Sequence, residues 1–142
     1  WASGRIISSE FNATSDNRIK QNVVPVQNAL ATLSQVTIVN YTKLSKDGTT
    51  NEIGVIAQEV EKIIPLAVQQ SEGDIFNAIT KKWEVVQDFR TVNYQTINMI
   101  TAKAVQELKT QVDLKTEEIK ALKEKNKQLE IRLQKIEDLL KK

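Results

Sequence analysis

Hydrophobic side chains in the last third of the chain recur every three or four residues, which is the spacing of one face of an α-helix. No Gly or Pro interrupts residues 94–142, and Asn93 just before them is of a type that commonly caps a helix N-terminus. The pattern therefore predicts one continuous helix from Tyr94 to Lys142. At a rise of about 1.5 Å per residue it would be roughly 70 Å long, far more than a small domain needs.

Within this predicted helix the apolar positions follow a heptad repeat, which is typical of a coiled coil. Nine of the eleven a and d positions are aliphatic, and the other two are polar and of the kind that commonly fixes register. The mixture of Val, Ile and Leu leaves a dimer and a trimer both open. We call these positions the seam: Val105, Leu108, Val112, Lys115, Ile119, Leu122, Asn126, Leu129, Leu133, Ile136 and Leu140.

Charged residues beside the seam indicate how the helices would associate. In a parallel coiled coil a g residue faces the next e residue of the neighbouring helix. Such pairs join opposite charges here, which favours parallel helices in register: Glu118 with Lys123, Lys125 with Glu130, and Arg132 with Glu137. Upstream of Val105 the apolar residues cover more than one face, so this part is expected to pack against the preceding domain as well.

The preceding residues alternate between short helical and strand-like patterns, which predicts an α+β fold with a small mixed domain before the long helix. A helix is predicted from Val23 to Leu33, and another from Ala57 to Ile64 that ends at Pro65. The predicted strands and turns are a β-prone piece at Arg5–Phe11, a strand at Val36–Tyr41, a turn at Lys46-Asp47-Gly48, a strand at Glu52–Val55, a turn at Glu72-Gly73-Asp74 and a strand at Lys82–Val86.

Composition then narrows the classes of function. The 142 residues include no Cys and no His, so thiolate chemistry is excluded and only carboxylates remain as metal ligands. We therefore expect no metal and no cofactor. The net charge of +2 does not indicate a nucleic-acid partner. No run of consecutive apolar residues approaches the roughly 20 that a membrane span needs. The chain does not begin with Met, and we expect it to continue upstream.

Ser15 and Lys20 are the candidates for chemistry. A serine becomes a useful nucleophile when a base takes its proton, and a lysine can be that base if burial favours its neutral form. Residues five apart do not share a helix face, so the pair requires a loop in which Lys20 folds back. Taken alone, the residues favour a turn with a solvated lysine. Glu59 is better explained by a helix start, and Lys81-Lys82-Trp83 by a turn with one packed Trp, than by catalysis or nucleic-acid binding.

Three blocks of sequence together resemble one known family. The first is Ser15-Asp16-Asn17-Arg18-Ile19-Lys20-Gln21-Asn22-Val23, the second runs from Ile53 to Pro65, and the third runs from Val92-Asn93-Tyr94 to Ala104-Val105-Gln106-Glu107-Leu108. In this order they resemble the peptidase S74 family, the endosialidase-type intramolecular chaperone domains at the C-termini of phage tail spikes and tail fibres. The Ser…Lys motif is specific in that company and weak alone.

The resemblance implies a homotrimer that nucleates folding of an upstream triple-stranded β-fibre and then cuts itself off between Thr14 and Ser15. Ser15 would be the nucleophile and Lys20 its base, while Asp16 and Arg18 would shape the turn. The implied parts are an upstream fibre end with the cleavage loop (residues 1–14), a chaperone core (15–93) and a helix forming a parallel trimeric coiled coil or helical bundle (94–142). The precursor would be made in the host cytoplasm and the domain removed before or during virion maturation.

Three alternatives stay open at this point. The first is a purely structural trimerisation module without cleavage. The second is the related self-cleaving domain of a membrane-tethered transcription factor, which also trimerises. The third is a nucleic-acid-binding coiled coil, which the near-neutral charge does not favour.

Overall fold

The computed structural model describes residues 13–45 and 48–141 and confirms a mixed α/β fold with a long C-terminal helix. Four short helices or helical turns and two antiparallel hairpins precede that helix. The elements in chain order are a 3₁₀ turn at Asn17–Ile19, α1 (Ala29–Leu33), β1 (Val39–Ser45), β2 (Gly48–Gly54), α2 (Ala57–Ile63), a 3₁₀ turn at Pro65–Ala67, β3 (Val68–Asn77), β4 (Lys82–Val92) and α3 (Tyr94–Leu140).

The strands form two separate two-stranded sheets. β1 pairs with β2 from Val39↔Gly54 to Ser45↔Gly48. β3 pairs with β4 from Val68↔Val92 to Asn77↔Lys82, with an irregularity between Ser71 and Gly73. Most side chains on both hairpins are exposed or only half-buried, so neither hairpin encloses a core of its own.

The turn predicted at Glu72-Gly73-Asp74 is wrong, because these residues lie inside β3. Gly73 is needed there for close packing: a Cβ at this position would lie 2.5 Å from Cγ of Phe89 on the paired strand. The chain reverses further on, where Oδ1 of Asn77 accepts the N–H groups of Ile79 and Thr80 at 2.9 and 3.1 Å. A side-chain oxygen that satisfies two backbone amides makes Asn77 the residue that starts the turn.

The core cluster of the described residues consists of Val60, Ile64, Ala67 and Ile97. Val60 and Ile64 lie four residues apart and so share one face of the α2 region. Pro65 ends α2, as predicted, and begins the 3₁₀ turn that carries Ala67. The carbonyl of Ala67 accepts the Asn93 N–H at 2.8 Å, which ties the start of α3 to this small core.

The helix predicted from Val23 begins only at Ala29. Pro25 lacks an N–H and disfavours helical geometry at the residue before it, and Asn22 and Asn28 have left-handed φ values of 52° and 56°. Residues 13–28 are all exposed, so no packing within the chain favours a helix there. The β-prone piece at Arg5–Phe11 lies outside the described residues, as do Lys46 and Asp47 of the predicted hairpin turn.

Helix α3 confirms the strongest pattern in the sequence, since it runs without interruption over 47 residues. Oδ1 of Asn93 accepts the N–H groups of Gln95 and Thr96 at 3.0 and 3.3 Å, so Asn93 is the N-cap that its residue type predicted. Ile97 and Ala104 are buried against the rest of the chain. Beyond residue 107 every described residue of the helix is exposed.

Candidate functional site

The Ser15 and Lys20 side chains meet across one tight turn. Nζ of Lys20 donates a hydrogen bond to Oγ of Ser15 at 2.6 Å. Residues 17–19 form the 3₁₀ turn between them, closed by backbone bonds from the Ile19 N–H to the Asp16 carbonyl (3.2 Å) and from the Lys20 N–H to the Asn17 carbonyl (3.1 Å). Asp16 and Lys20 are extended on either side, so the chain doubles back. This is the local geometry that a spacing of five residues requires.

Asp16 and Arg18 hold this turn together through three hydrogen bonds. Oδ1 of Asp16 accepts the backbone N–H of Arg18 at 2.8 Å and its Nε at 2.9 Å, while Oδ2 accepts Nη2 at 2.7 Å. The hydrogen bond from the Arg18 side chain lowers the pKa of the Asp16 carboxyl, and the same bond raises the pKa of Arg18. Both side chains are exposed, so the pair adds little to global stability. Its effect is to fix the local shape beside Ser15.

We refer to residues 13–28, which contain this turn, as the N-terminal segment. Four of its exposed side chains are large and apolar, namely Ile19, Val23, Val24 and Val26. Within the described ranges, no hydrogen bond joins residues 13–27 to the chain beyond Asn28. A lysine accepts a proton in its neutral form, which burial favours. The single chain provides the Ser–Lys contact but leaves both side chains in solvent.

The segment is attached to the long helix where α1 begins. Oε1 of Glu107 accepts the Ala29 N–H at 3.2 Å, and Oε2 accepts the Leu30 N–H at 2.9 Å. The hydrogen bond from the Leu30 backbone is the largest cause of a lowered pKa at Glu107. Glu107 stood in the third sequence block but was not singled out, because its partners are backbone groups 77 and 78 residues away.

The second and third sequence blocks, Ile53–Pro65 and Val92–Leu108, have structural roles in the fold. They supply no second reactive group. Gly54 lies against Tyr94, where an added Cβ would be 2.7 Å from the hydroxyl oxygen. Glu59 lies in the first turn of α2, as a helix start predicts. Trp83 packs edge-on against Phe76 on the paired strand, with ring centroids 5.4 Å apart. That contact agrees with a packed Trp.

The apolar seam residues are exposed along one side of α3, with between 47% and 82% of their surfaces accessible. Of the two polar positions, Lys115 donates to Glu118 of its own helix at 2.6 Å. Asn126 is exposed. The single chain therefore presents the whole predicted seam without covering it. Over residues 13–45 and 48–141, no helix is both long and apolar enough to cross a membrane.

Sequence comparison identifies a protein family that this chain resembles. Residues 15–69 match the sequence profile of the peptidase S74 family, described as the chaperone of endosialidase. The match begins at Ser15, and the matched range includes Lys20, Gly54 and all of α2.

Similar proteins include three phage fibre proteins named long tail fiber protein Gp37. That of Salmonella phage S16 is 31% identical over 137 residues, which cover 91% of this chain and 16% of the phage protein. Those of Enterobacteria phages Ox2 and M1 are each 32% identical, over 120 and 114 residues, or 81% and 77% of this chain and 41% and 38% of theirs. The chain thus spans less than half the length of each relative.

Proposed function

We propose that this chain, whose residues 15–69 match the peptidase S74 family of endosialidase chaperones, is a self-releasing assembly domain of a phage tail fibre. Three copies associate through α3 and bring the upstream chains into register. They thereby nucleate an upstream triple-stranded β-fibre, and the domain then cuts itself off before Ser15. Matches to long tail fibre proteins over most of this chain support the fibre assignment.

The observation that carries the cleavage proposal is the hydrogen bond of 2.6 Å between Lys20 Nζ and Ser15 Oγ. In the proposed reaction neutral Lys20 takes the Ser15 hydroxyl proton, and Oγ attacks the Thr14 carbonyl carbon. The Thr14–Ser15 peptide bond breaks as Lys20 returns the proton to the departing Ser15 amine, leaving an ester. Water then hydrolyses that ester, which yields a Thr14 carboxylate and restores the Ser15 hydroxyl.

The chaperone role follows from the cost of starting a fibre. Strands that intertwine between three chains have few local contacts, so their pairing carries a large loop-closure and association cost. Parallel helices with complementary flanking charges associate in register and raise the effective concentration of the chains they connect. The seam on α3 is long enough for this purpose, since it extends over 36 residues from Val105 to Leu140.

Expression of the chain with its upstream fibre tests the proposal. The wild type should release a C-terminal piece that begins at Ser15, whereas Ser15→Ala and Lys20→Ala should both remain full length. Ser34→Ala and Lys120→Ala are matched controls, because both residues are exposed and lie outside the N-terminal segment. Sequencing that finds another N-terminus, or normal release in either Ser15 or Lys20 variant, would contradict the assignment.

A trimerisation module without cleavage is the second candidate, favoured by the exposure of Ser15 and Lys20 in the single chain. It predicts a wild type that assembles and stays full length under every condition. We infer instead that assembly buries the N-terminal segment and so favours neutral Lys20. Cleavage then follows assembly, in the host cytoplasm during fibre maturation.

Gating by assembly has its own test. A chain whose seam is disrupted should remain uncut although Ser15 and Lys20 are intact. Replacing residues 110–142 of that chain with an unrelated parallel trimeric coiled coil should restore both association and cleavage. Efficient cleavage by a demonstrably monomeric chain would refute the gating and leave the Ser–Lys assignment in place.

A further inference from the structure

Glu107 makes a contact that neither its position on α3 nor the proposed chemistry explains. Its two carboxylate oxygens accept the N–H groups of Ala29 and Leu30, the first two residues of α1. The residue before them, Asn28, is in the left-handed region and gives α1 no side-chain cap. The open end of α1 is therefore capped by a residue 77 and 78 positions away in the sequence, on the helix that packs against it.

The packing around this contact is close. Ala29 and Ala104 are 1% and 2% exposed, and α1 lies against α3. Small side chains let two helices approach closely, and Glu107 lies three residues beyond Ala104, on the neighbouring part of the same helix face. Glu107 also immediately precedes the seam residue Leu108. One turn of α3 thus contacts α1 on one side and leads into the predicted interface on the other.

The contact matters because it is the nearest anchor to the N-terminal segment. Residues 13–28 are all exposed, and within the described ranges no hydrogen bond joins residues 13–27 to the chain beyond Asn28. The orientation of α1 therefore sets the direction in which residues 13–28 leave the core. A movement of α3 reaches α1 only through the packing of the two helices and the Glu107 hydrogen bonds.

We propose that Glu107 is a positioning residue that couples helix α3 to the N-terminal segment, so that association of α3 places Ser15 and Lys20 for cleavage. The inference rests on the proposed function and adds a residue to it. Glu107 does not touch the reacting atoms; it acts through α1. A residue with only a local role would stabilise α1 and leave the segment before it unaffected.

The test uses Glu107→Ala and Glu107→Gln in the full chain with its upstream fibre. Glu117→Ala is the matched control, because Glu117 is an exposed residue of the same helix outside the seam. Release of the piece that begins at Ser15 should slow by as much as about 100-fold in Glu107→Ala, which is the loss that misplacing reacting groups by about 1 Å can cause. Glu107→Gln keeps one carbonyl oxygen that accepts an amide, so it should restore part of the rate.

Sedimentation should show the same association for all three variants and the wild type. Loss of association in Glu107→Ala would overturn the proposal, since Glu107 would then belong to the interface. Cleavage of Glu107→Ala at the wild-type rate would overturn it as well.

Hydrogen exchange in an uncut Ser15→Ala background separates coupling from local capping and needs no cleavage. Adding Glu107→Ala should speed exchange in residues 13–28 as well as in α1, while residues 109–140 exchange as before. Faster exchange confined to residues 29–34 would mean a local cap and overturn the inference. If the wild type never cuts, the proposed function fails, and this exchange pattern still decides whether Glu107 positions the segment.

Discussion

Helix α3 has two unequal parts, called here its first half (94–107) and its second half (108–140), which have the same secondary structure and opposite surroundings. In the first half Ile97 and Ala104 are buried, and Glu107 binds α1. In the second half, residues 108–140, every described residue is exposed although apolar residues recur as regularly as before. A helix in water owes most of its stability to packing of its apolar face. The first half therefore finds its packing within the chain, and we expect the second half to find it in partner chains.

The N-terminal segment resembles the second half of α3 in this respect. Its large apolar side chains are exposed, and its internal hydrogen bonds hold one turn without attaching it to the core. The N-terminal segment and the second half of α3 both have exposed apolar side chains, and the Glu107 contact with α1 links these two regions. The regions that pack within the chain and the regions that stay exposed thus correspond to the parts that the proposed function needs. These parts are a small folded centre, a reactive N-terminal segment and a helix that associates.

The largest effect should come from the seam. Replacing Leu122 and Leu129 together by Asn should abolish association, because each buried Leu lost from a packed interface costs about 2–5 kcal/mol. Analytical ultracentrifugation should then find monomers at concentrations where we expect the wild type to be a trimer. Lys120→Asn with Lys127→Asn is the control, since it places the same two changes on the outer face of the same turns. A persisting trimer would mean that the second half of α3 does not need partners.

The next effect should come from the first half. Ile97→Ala should destabilise the core by about 2–5 kcal/mol, because Ile97 packs with Val60, Ile64 and Ala67. Met99→Ala is the control on the same helix, and its side chain is 64% exposed, so its cost should stay within about 0.5 kcal/mol. Urea unfolding at one protein concentration measures both variants. Similar losses in the two would contradict the assignment of the first half to the core.

Sequence patterns predicted α3 well because its signals are local and agree with one another. Helical spacing, the absence of Gly and Pro and the Asn93 cap all indicate the same element. The turn between Ser15 and Lys20 was predictable for a similar reason, since the residues that shape it lie within six positions, whereas the pairing of the two side chains was indicated only by the family resemblance. The placement of the seam along one face of the helix also follows from its period, whereas the number of chains in an assembly does not.

The remaining features depend on contacts between distant residues. Gly73 signals a turn locally, but the Phe89 ring on the opposite strand makes it a packing position inside β3. The helical spacing after Val23 found no surface to pack against, so the chain stays irregular until Ala29. The Glu107 cap was missed because it satisfies backbone amides, which have no sequence signature of their own.

A smaller effect should come from the N-cap of α3, where the first half of the helix begins. Asn93→Ala removes the side-chain oxygen that accepts the Gln95 and Thr96 amides, so it should cost about 1 kcal/mol. Asn93→Asp keeps that oxygen and serves as the control. Urea unfolding should report the loss, while ultracentrifugation finds association unchanged. Weakened association in Asn93→Ala would show that the two halves of α3 are not independent.

The smallest effect is local and depends on pH. The backbone hydrogen bond from Leu30 lowers the pKa of Glu107, with smaller contributions from the Ala29 amide and nearby Lys103 and an opposing one from desolvation. Since the folded pKa lies below the unfolded one, the stability that these bonds contribute is fully present above the unfolded value. It is lost as the pH falls through the folded value.

Carbon NMR of the Glu107 carboxyl should therefore give a lower midpoint in the folded chain than in urea. Exchange of the Ala29 and Leu30 amides, corrected for their intrinsic rates, should accelerate through the same folded midpoint, while that of Gln95 and Thr96, capped by the uncharged Asn93, should not. Equal midpoints in the two states would mean that the Glu107 charge does not strengthen its contact with α1, which would then depend on the packing of α1 against α3 alone.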